Sequence, residues 1–524
     1  MSSSGSGLLR KSIPRAATVR EWFQSSRKHR FLTGAALSHT LFQQAGKGVR
    51  ERSQTADLDA GSGSSLLTAP LRSTMLRLAW PVFVEQFLYF LVGLTDIYLA
   101  GFLSKEATTA VGLAAYVGWL ASNIFSLVST GTVAVVARHW GAGELESANR
   151  AANRALAIGA VVGLAVYALI WFAAPSYAAL MRLEGKTAEM VVRFLRIDGA
   201  GYLFSCLTVA GAAALRGSGQ MRVPMVILGF VNVLNVIITT VLSGVGPAEW
   251  LSLSERLGVT PLGLDGIAYG TFVARAIGGL LTLGVLSSGR FGLRLIPREV
   301  SLRGEPARSI LRVGLPAGLD GLLRWSGQLG FLMIVARLSD DESERTAIMA
   351  AHLIGMQVEA ISYLPACAWG MAAATLVGQS LGAKQPERAR AGGHEAVLQC
   401  GILALVLTAV FFFAAQPIYE LMHKDADVRA VGVPAFQFNA LFQVSLVTAI
   451  VYTFALHGAG ETRRPMLINL LGVFGVRLTL AYLCGIVLHG GLIGAWIGMC
   501  CDNTVRAILV ALLFRRGRWM SKSL

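Results

Sequence analysis

The sequence predicts an all-α polytopic membrane protein with twelve transmembrane helices in two pseudo-symmetric six-helix bundles. Three observations carry that expectation. The 524 residues are 54% hydrophobic and only 15% charged, with a mean hydropathy of +0.58, whereas soluble chains carry about 25% charge. Uncharged apolar stretches recur along most of the length, and one of them, residues 155–174, runs 20 positions without a charge, enough to cross a bilayer as a helix. Three patterns in the first part of the chain return in the same order in the second. Unbroken apolar runs lack the in-out alternation of a barrel strand, so the spans read as helices. The 58 glycines suit helices that pack closely.

Residues 1–70 differ from the rest of the chain. They are rich in Ser, Gly and Arg and have no secretory apolar region, which points to a basic, disordered cytoplasmic tail; an organellar transit peptide, or an extension that is not translated, would share this composition. Twelve spans come after them, with approximate limits 76–100, 110–136, 153–181, 189–214, 223–245, 264–288, 310–337, 346–378, 396–422, 430–456, 466–488 and 491–514. The organisation is therefore a first lobe at 71–289, a basic linker at 290–308, a second lobe at 309–516 and a short tail at 517–524. An even number of spans puts both termini on one side. Loops and tail on that side hold twenty Lys and Arg against eight on the other, which predicts cytoplasmic termini in a plasma or inner membrane, or in an organellar membrane if the tail is a transit peptide. Topology thus accounts for the +16 net charge, and no nucleic-acid role is assigned. The expected partners are the lipid bilayer and a small-molecule substrate, with the protein acting as a monomer.

The repeats define the architecture. Leu76-Arg-Leu-Ala-Trp-Pro81 returns as Leu311-Arg-Val-Gly-Leu-Pro316, and the Gly-Ala loop at Gly141 returns at Gly382. Ala214-Leu-Arg-Gly-Ser-Gly-Gln-Met-Arg-Val-Pro-Met returns from Ala455 as Ala-Leu-His-Gly-Ala-Gly-Glu-Thr-Arg-Arg-Pro-Met. Six spans per half insert both halves in the same orientation, a transporter plan with its site expected between the halves near mid-membrane.

Charges inside the hydrocarbon need a reason, because each costs roughly 2.5–3.5 kcal/mol at a helix centre. In the first span Glu85, Tyr89 and Asp96 share one helical face, and in the fifth Asn232, Asn235 and Thr239 make another polar stripe. The asparagines could instead simply bond neighbouring helices. The repeat places Asp320 opposite Glu85, but Phe331 opposite Asp96 and Val473, Val476 and Leu480 opposite the stripe, so the deep polar site is expected in the first half only. Asp502 and Arg506, one turn apart, read as a structural pair. Glu359, Arg275, Arg324 and Arg477 could line a cavity or pair across helices. The six cysteines lie in apolar segments without metal or redox spacing, and the histidines at 352, 394, 457 and 489 fit no zinc pattern. No cofactor or metal is expected.

The stretch from Pro81 to Asp96 ending in Leu-Thr-Asp, the Gly-Ala loop, the Leu-Arg-Gly-x-Gly…Pro-Met turn and Leu-Val-Gly-Gln-Ser-Leu-Gly-Ala at 376–383 resemble the multidrug and toxic compound extrusion (MATE) family, over about residues 72 to 515, and look closest to its bacterial DinF-like branch. The resemblance implies cation-coupled antiport, driven by protons or sodium, that expels organic and often cationic compounds as two lobes rock about a cleft. By position, Asp96 matches the coupling aspartate of that branch, Asn235 an asparagine of its fifth-span motif, and Thr271 a sixth-span threonine near it. Thr239 stands where the family often has a second aspartate, and Arg324 where other branches have a seventh-span carboxylate. Those departures favour protons over sodium. Asp96 would then load a proton outside and release it inside, with Glu85 as a relay toward the cytoplasm. Two rivals stay open: a lipid-linked sugar flippase, which a basic cavity built from Arg275, Arg324 and Arg477 would favour, and a membrane-embedded enzyme, for which no nucleophile, base or metal constellation stands out.

Overall fold

The computed structural model describes residues 63–245, 258 and 260–522. Most of the expected N-terminal tail, residues 1–62, lies outside the described residues. Among the described residues, six long helices form the first half: α1 (Leu71–Gly101), α2 (Lys105–Gly141), α3 (Leu145–Leu180), α4 (Gly185–Gly217), α5 (Arg222–Ser243) and α6 (Leu264–Ser288). The second half has α7 (Glu305–Val335), α8 (Glu342–Gly382), α9 (Pro386–Phe413), α10 in two pieces (Ala426–Ala440 and Gln443–Gly458), α11 (Arg463–Val487) and α12 (Gly491–Arg515). Ten of these are individually long and apolar enough to span a membrane, and the two pieces of α10 qualify together across a 54° bend. The twelfth, α7, is more polar: it carries Arg308, Arg312, Asp320 and Arg324 along its length.

Local chemistry sets the helix ends. The Ser104 hydroxyl accepts from the Ala107 amide at 3.1 Å and the Asp341 carboxylate from the Glu344 amide at 2.8 Å, capping α2 and α8. Gly244 and Gly289 close α5 and α6 in the left-handed region, at φ 69° and 67°, where any side chain would be strained.

Packing crosses the boundary between the halves. The core of the first half, built from α2, α3, α4 and α6, takes in Ala307 and Ile310 of α7. The core formed by α8, α9, α10 and α12 takes in Met75, Leu78, Ala79 and Val82 of α1. Each half thus lends the start of its first helix to the other. Glycine makes the approach possible: a Cβ at Gly131 of α2 would collide with the Ile310 carbonyl, and one at Gly314 of α7 with the Leu127 carbonyl, so the backbones of α2 and α7 touch directly.

All of this closure lies on the side of the termini. There the buried Gln379 amide of α8 donates to the Gly217 carbonyl at the end of α4 at 2.8 Å. Toward the other side Phe87, Leu91, Leu94 and Ile97 of α1 and Trp119 of α2 are exposed.

Segments read from sequence as tail and linker are tied down. Gly63–Thr68 is a short helix whose Leu66 carbonyl, with that of Ala69, accepts from Arg388 at 2.7 and 2.6 Å. In the linker, Asn149 and Asn153 of α3 accept from the Arg294 and Ile296 amides at 2.6 and 2.9 Å. After α12, Trp519 is buried and stacks on Phe514 at 4.6 Å. The Lys522 carbonyl accepts from Arg138 of α2 at 2.6 Å while its ammonium reaches Glu461 at 3.3 Å. The final segment therefore bridges the two halves.

Candidate functional site

Asp96 lies five residues before the end of α1 at Gly101, about 7.5 Å along the axis. The candidate cluster around it is therefore inside the first half, toward the far end of α1. Three helices build it. Buried Thr271 on α6 donates its hydroxyl to Asp96 Oδ2 at 3.1 Å and accepts from Asn235 Nδ2 of α5, also at 3.1 Å. A hydroxyl has one proton to give, so these two bonds order a directional chain from amide to hydroxyl to carboxylate.

Around this chain, Asp96 Oδ1, Asn235 Oδ1, Asn232 Nδ2 and Thr239 Oγ1 are buried without a hydrogen-bond partner. Unmatched polar atoms in such a place are costly. Thr239 is held beside Thr271 because it packs on Gly270, where a Cβ would collide with its hydroxyl. Asp96, Asn235 and Thr271 are thus hydrogen-bonded together, with Thr239 and Asn232 on the same face of α5.

The other candidates are placed elsewhere. Glu85, eleven residues before Asp96 and so about 16 Å along α1, is paired with Arg216 of α4 at 2.7 Å, both side chains under a tenth exposed. This buried pair, which takes one carboxylate oxygen, links α1 to α4. Tyr89 is exposed and its hydroxyl sits 3.3 Å from that of Ser122. Glu359 belongs to the second half, where Asn439 and Gln443 of α10 donate to it at 2.8 and 3.5 Å.

At the repeat-equivalent position the second half is apolar, with Phe331 and Val473 buried. Its polar groups gather instead around α11 and α12, where the expected Asp502–Arg506 pair is found. Asp502 takes both Arg477 at 2.9 Å and Arg506 at 2.7 Å. Asn503 accepts from Arg506 at 2.7 Å, and Asn469 donates to Asp320 at 2.8 Å. Stretches of π-helix, Leu471–Leu478 and Leu483–Val487, interrupt α11 here, a distortion common where a helix carries specialised side chains.

Sequence reading passed over Asp198. It is buried on α4 and takes Arg275 Nη1 of α6 at 2.7 Å, with the Tyr202 ring beneath the guanidinium at 4.5 Å. The available signal was Asp198 deep in the fourth span and Arg275 as the one arginine of the sixth, opposite charges that each need a partner. Arg324 is likewise taken by Asp320 at 3.3 Å, so all three arginines proposed to line a basic cavity are paired with a carboxylate. A groove of about 980 Å³ between α3, α4 and α6, with Trp171, Arg196 and Phe272 in its wall, includes none of Asp96, Asn235 and Thr271. Among the described residues no group of three or more His, Cys, Asp or Glu is placed to hold a metal, and the six cysteines are free.

Two homologous six-helix halves, closed on one side and carrying a buried carboxylate with an open oxygen inside one of them, define an integral membrane transporter. The MatE family model matches residues 81–241 and again 316–483, one match in each half, and the chain belongs to this family. It is 26% identical over 456 residues to a probable multidrug resistance protein NorM of Thermotoga maritima, covering 86% of this chain and 94% of that one. It is 24% identical to the multidrug resistance protein PmpM of Pseudomonas aeruginosa, covering 84% and 91%. Among solved structures, an outward-facing MATE family transporter of the MOP superfamily superposes with a TM-score of 0.78 at 22% identity, and a MOP superfamily transporter from Pyrococcus furiosus with 0.79 at 21%; both cover 88% of this chain and 99% of theirs.

Proposed function

We propose that this transporter is an antiporter of the DinF-like branch that exports organic, often cationic compounds in exchange for protons, with Asp96 as the group that carries the proton. The supporting observation is the environment of that carboxylate: Oδ2 receives one hydroxyl, Oδ1 is buried and open, and the nearby guanidinium is held by Asp198. An anion left alone at such depth must gain a proton or a cation. Thr239 stands where the family resemblance puts a second carboxylate, and that departure supports the proton over sodium.

Protonation and substrate binding in the first half compete, and each shifts the equilibrium between the two access states by its differential affinity for them. The closure seen on the terminal side fits the outward-open member of that pair, with cytoplasmic termini in an inner or plasma membrane. Relatives named as multidrug resistance proteins support xenobiotic export. Pairing of Arg275, Arg324 and Arg477 with carboxylates supports this reading over the flippase.

Dye efflux from proteoliposomes under imposed proton or sodium gradients tests the proposal. The proton gradient should drive efflux, and Asp96→Asn should abolish it in a protein that still elutes as one folded species. Undiminished efflux by Asp96→Asn, or efflux driven by sodium alone, would reject it.

A further inference from the structure

The first half buries two carboxylates and one guanidinium in a single neighbourhood. Thr271, which donates to Asp96, is one helical turn before Arg275 on α6, and side chains so spaced are about 5–6 Å apart at Cβ. Arg275 is therefore within electrostatic reach of Asp96, whose Oδ1 has no partner. It is nevertheless turned to α4: Nη1 donates to Asp198 Oδ1 at 2.7 Å and to the Asp198 carbonyl at 3.2 Å, over the Tyr202 ring. Gly201, between those two residues, leaves room for the arginine stem, which a Cβ there would meet at 2.9 Å.

We propose that Asp198 is a positioning residue that holds Arg275 off Asp96, leaving Asp96 as the exchangeable carboxylate of the first half. This rests on the coupling role assigned to Asp96. The physical reason is that a buried guanidinium must be paired. The ionisable groups facing it and Asp96 are Asp198 and Tyr202 from α4 and Tyr89 from α1, while α5 contributes only the neutral Asn232, Asn235 and Thr239. With Asp198 neutralised, Asp96 is the remaining anion, and Arg275 closes on it as a permanent counter-ion where the proton should come and go.

This predicts a suppressor pattern. Asp198→Asn should lower proton-driven efflux by about tenfold or more, the change that about 1.4 kcal/mol of added pairing produces. Asp198→Glu, which keeps the charge, should retain it. Adding Arg275→Gln to Asp198→Asn should restore efflux per folded transporter, whereas a purely structural pair would show its rescue as recovered thermal resistance with efflux per folded molecule near normal in both variants. Wild-type efflux by Asp198→Asn overturns the inference, as does failure of Arg275→Gln to restore it when both proteins are monodisperse. If Asp198→Asn does not accumulate, the double variant decides: proton-driven efflux supports the inference and its absence overturns it. An active Asp96→Asn, by contrast, removes the coupling reading itself.

Discussion

Replacing Glu85 by Gln leaves Arg216 buried with no counter-ion. Breaking a buried ion pair from one side costs about 3–5 kcal/mol. Here the contact is one 2.7 Å bond from Nη1 to Oε1, and Oε2 is buried without a partner, so the lower end, about 3 kcal/mol, applies. Removing both charges with Glu85→Gln and Arg216→Met takes away the uncompensated guanidinium as well, and the double variant should recover much of that loss. The assay is the fraction of protein remaining monodisperse after heating in detergent, compared with proton-driven efflux of the same preparations in liposomes. Glu85→Gln should lose thermal resistance, the double variant should regain it, and the efflux of molecules that survive should be near normal in both. A stable Glu85→Gln protein with no efflux would refute this reasoning and return Glu85 to the proton path.

Other outcomes rest on the same contacts. Thr271→Val removes the donor to Asp96 and should reduce proton-driven efflux by roughly tenfold, since a bond to a charged group is worth about 1.5–3 kcal/mol, with Thr271→Ser restoring it; unchanged efflux in the valine variant would deny the hydroxyl a role. Gly131→Val should prevent α2 and α7 from meeting, so that a cysteine-reactive probe added from the terminal side reaches the seam between the halves faster than in wild type. Trp519→Ala removes an aromatic anchor from the core of the second half, a loss of about 3–5 kcal/mol for such a truncation, visible as a lower melting temperature. Asp502→Asn leaves Arg477 and Arg506 side by side without their shared carboxylate, and expression of folded protein should fall more than for Arg477→Met.

Periodicity and repetition made much of this molecule legible before any coordinates. A helix that spans a bilayer satisfies its own backbone, so its length and apolarity are local properties of the chain. For the same reason Asp96, Asn235 and Thr271 could be named: each is a polar residue on a helix that otherwise prefers lipid, and the family resemblance carries them to one place. The partners of charges were not legible in this way. Glu85 and Arg216 are 131 residues apart, and Asp198 and Arg275 are 77 apart; each member of such a pair is, along the chain, merely a charge in an apolar run. Which arginine neutralises which carboxylate depends on the packing that lays α4 against α6 and brings its end to α1. It is likewise the tertiary packing that turns Trp519 and Lys522, in an unremarked basic tail, into a bridge between the halves. Local hydrophobicity decided that there are helices and where polar residues interrupt them; only the packed bundle, where a charge must find an opposite one or remain open, decided that Asp96 is left free while its neighbours are paired.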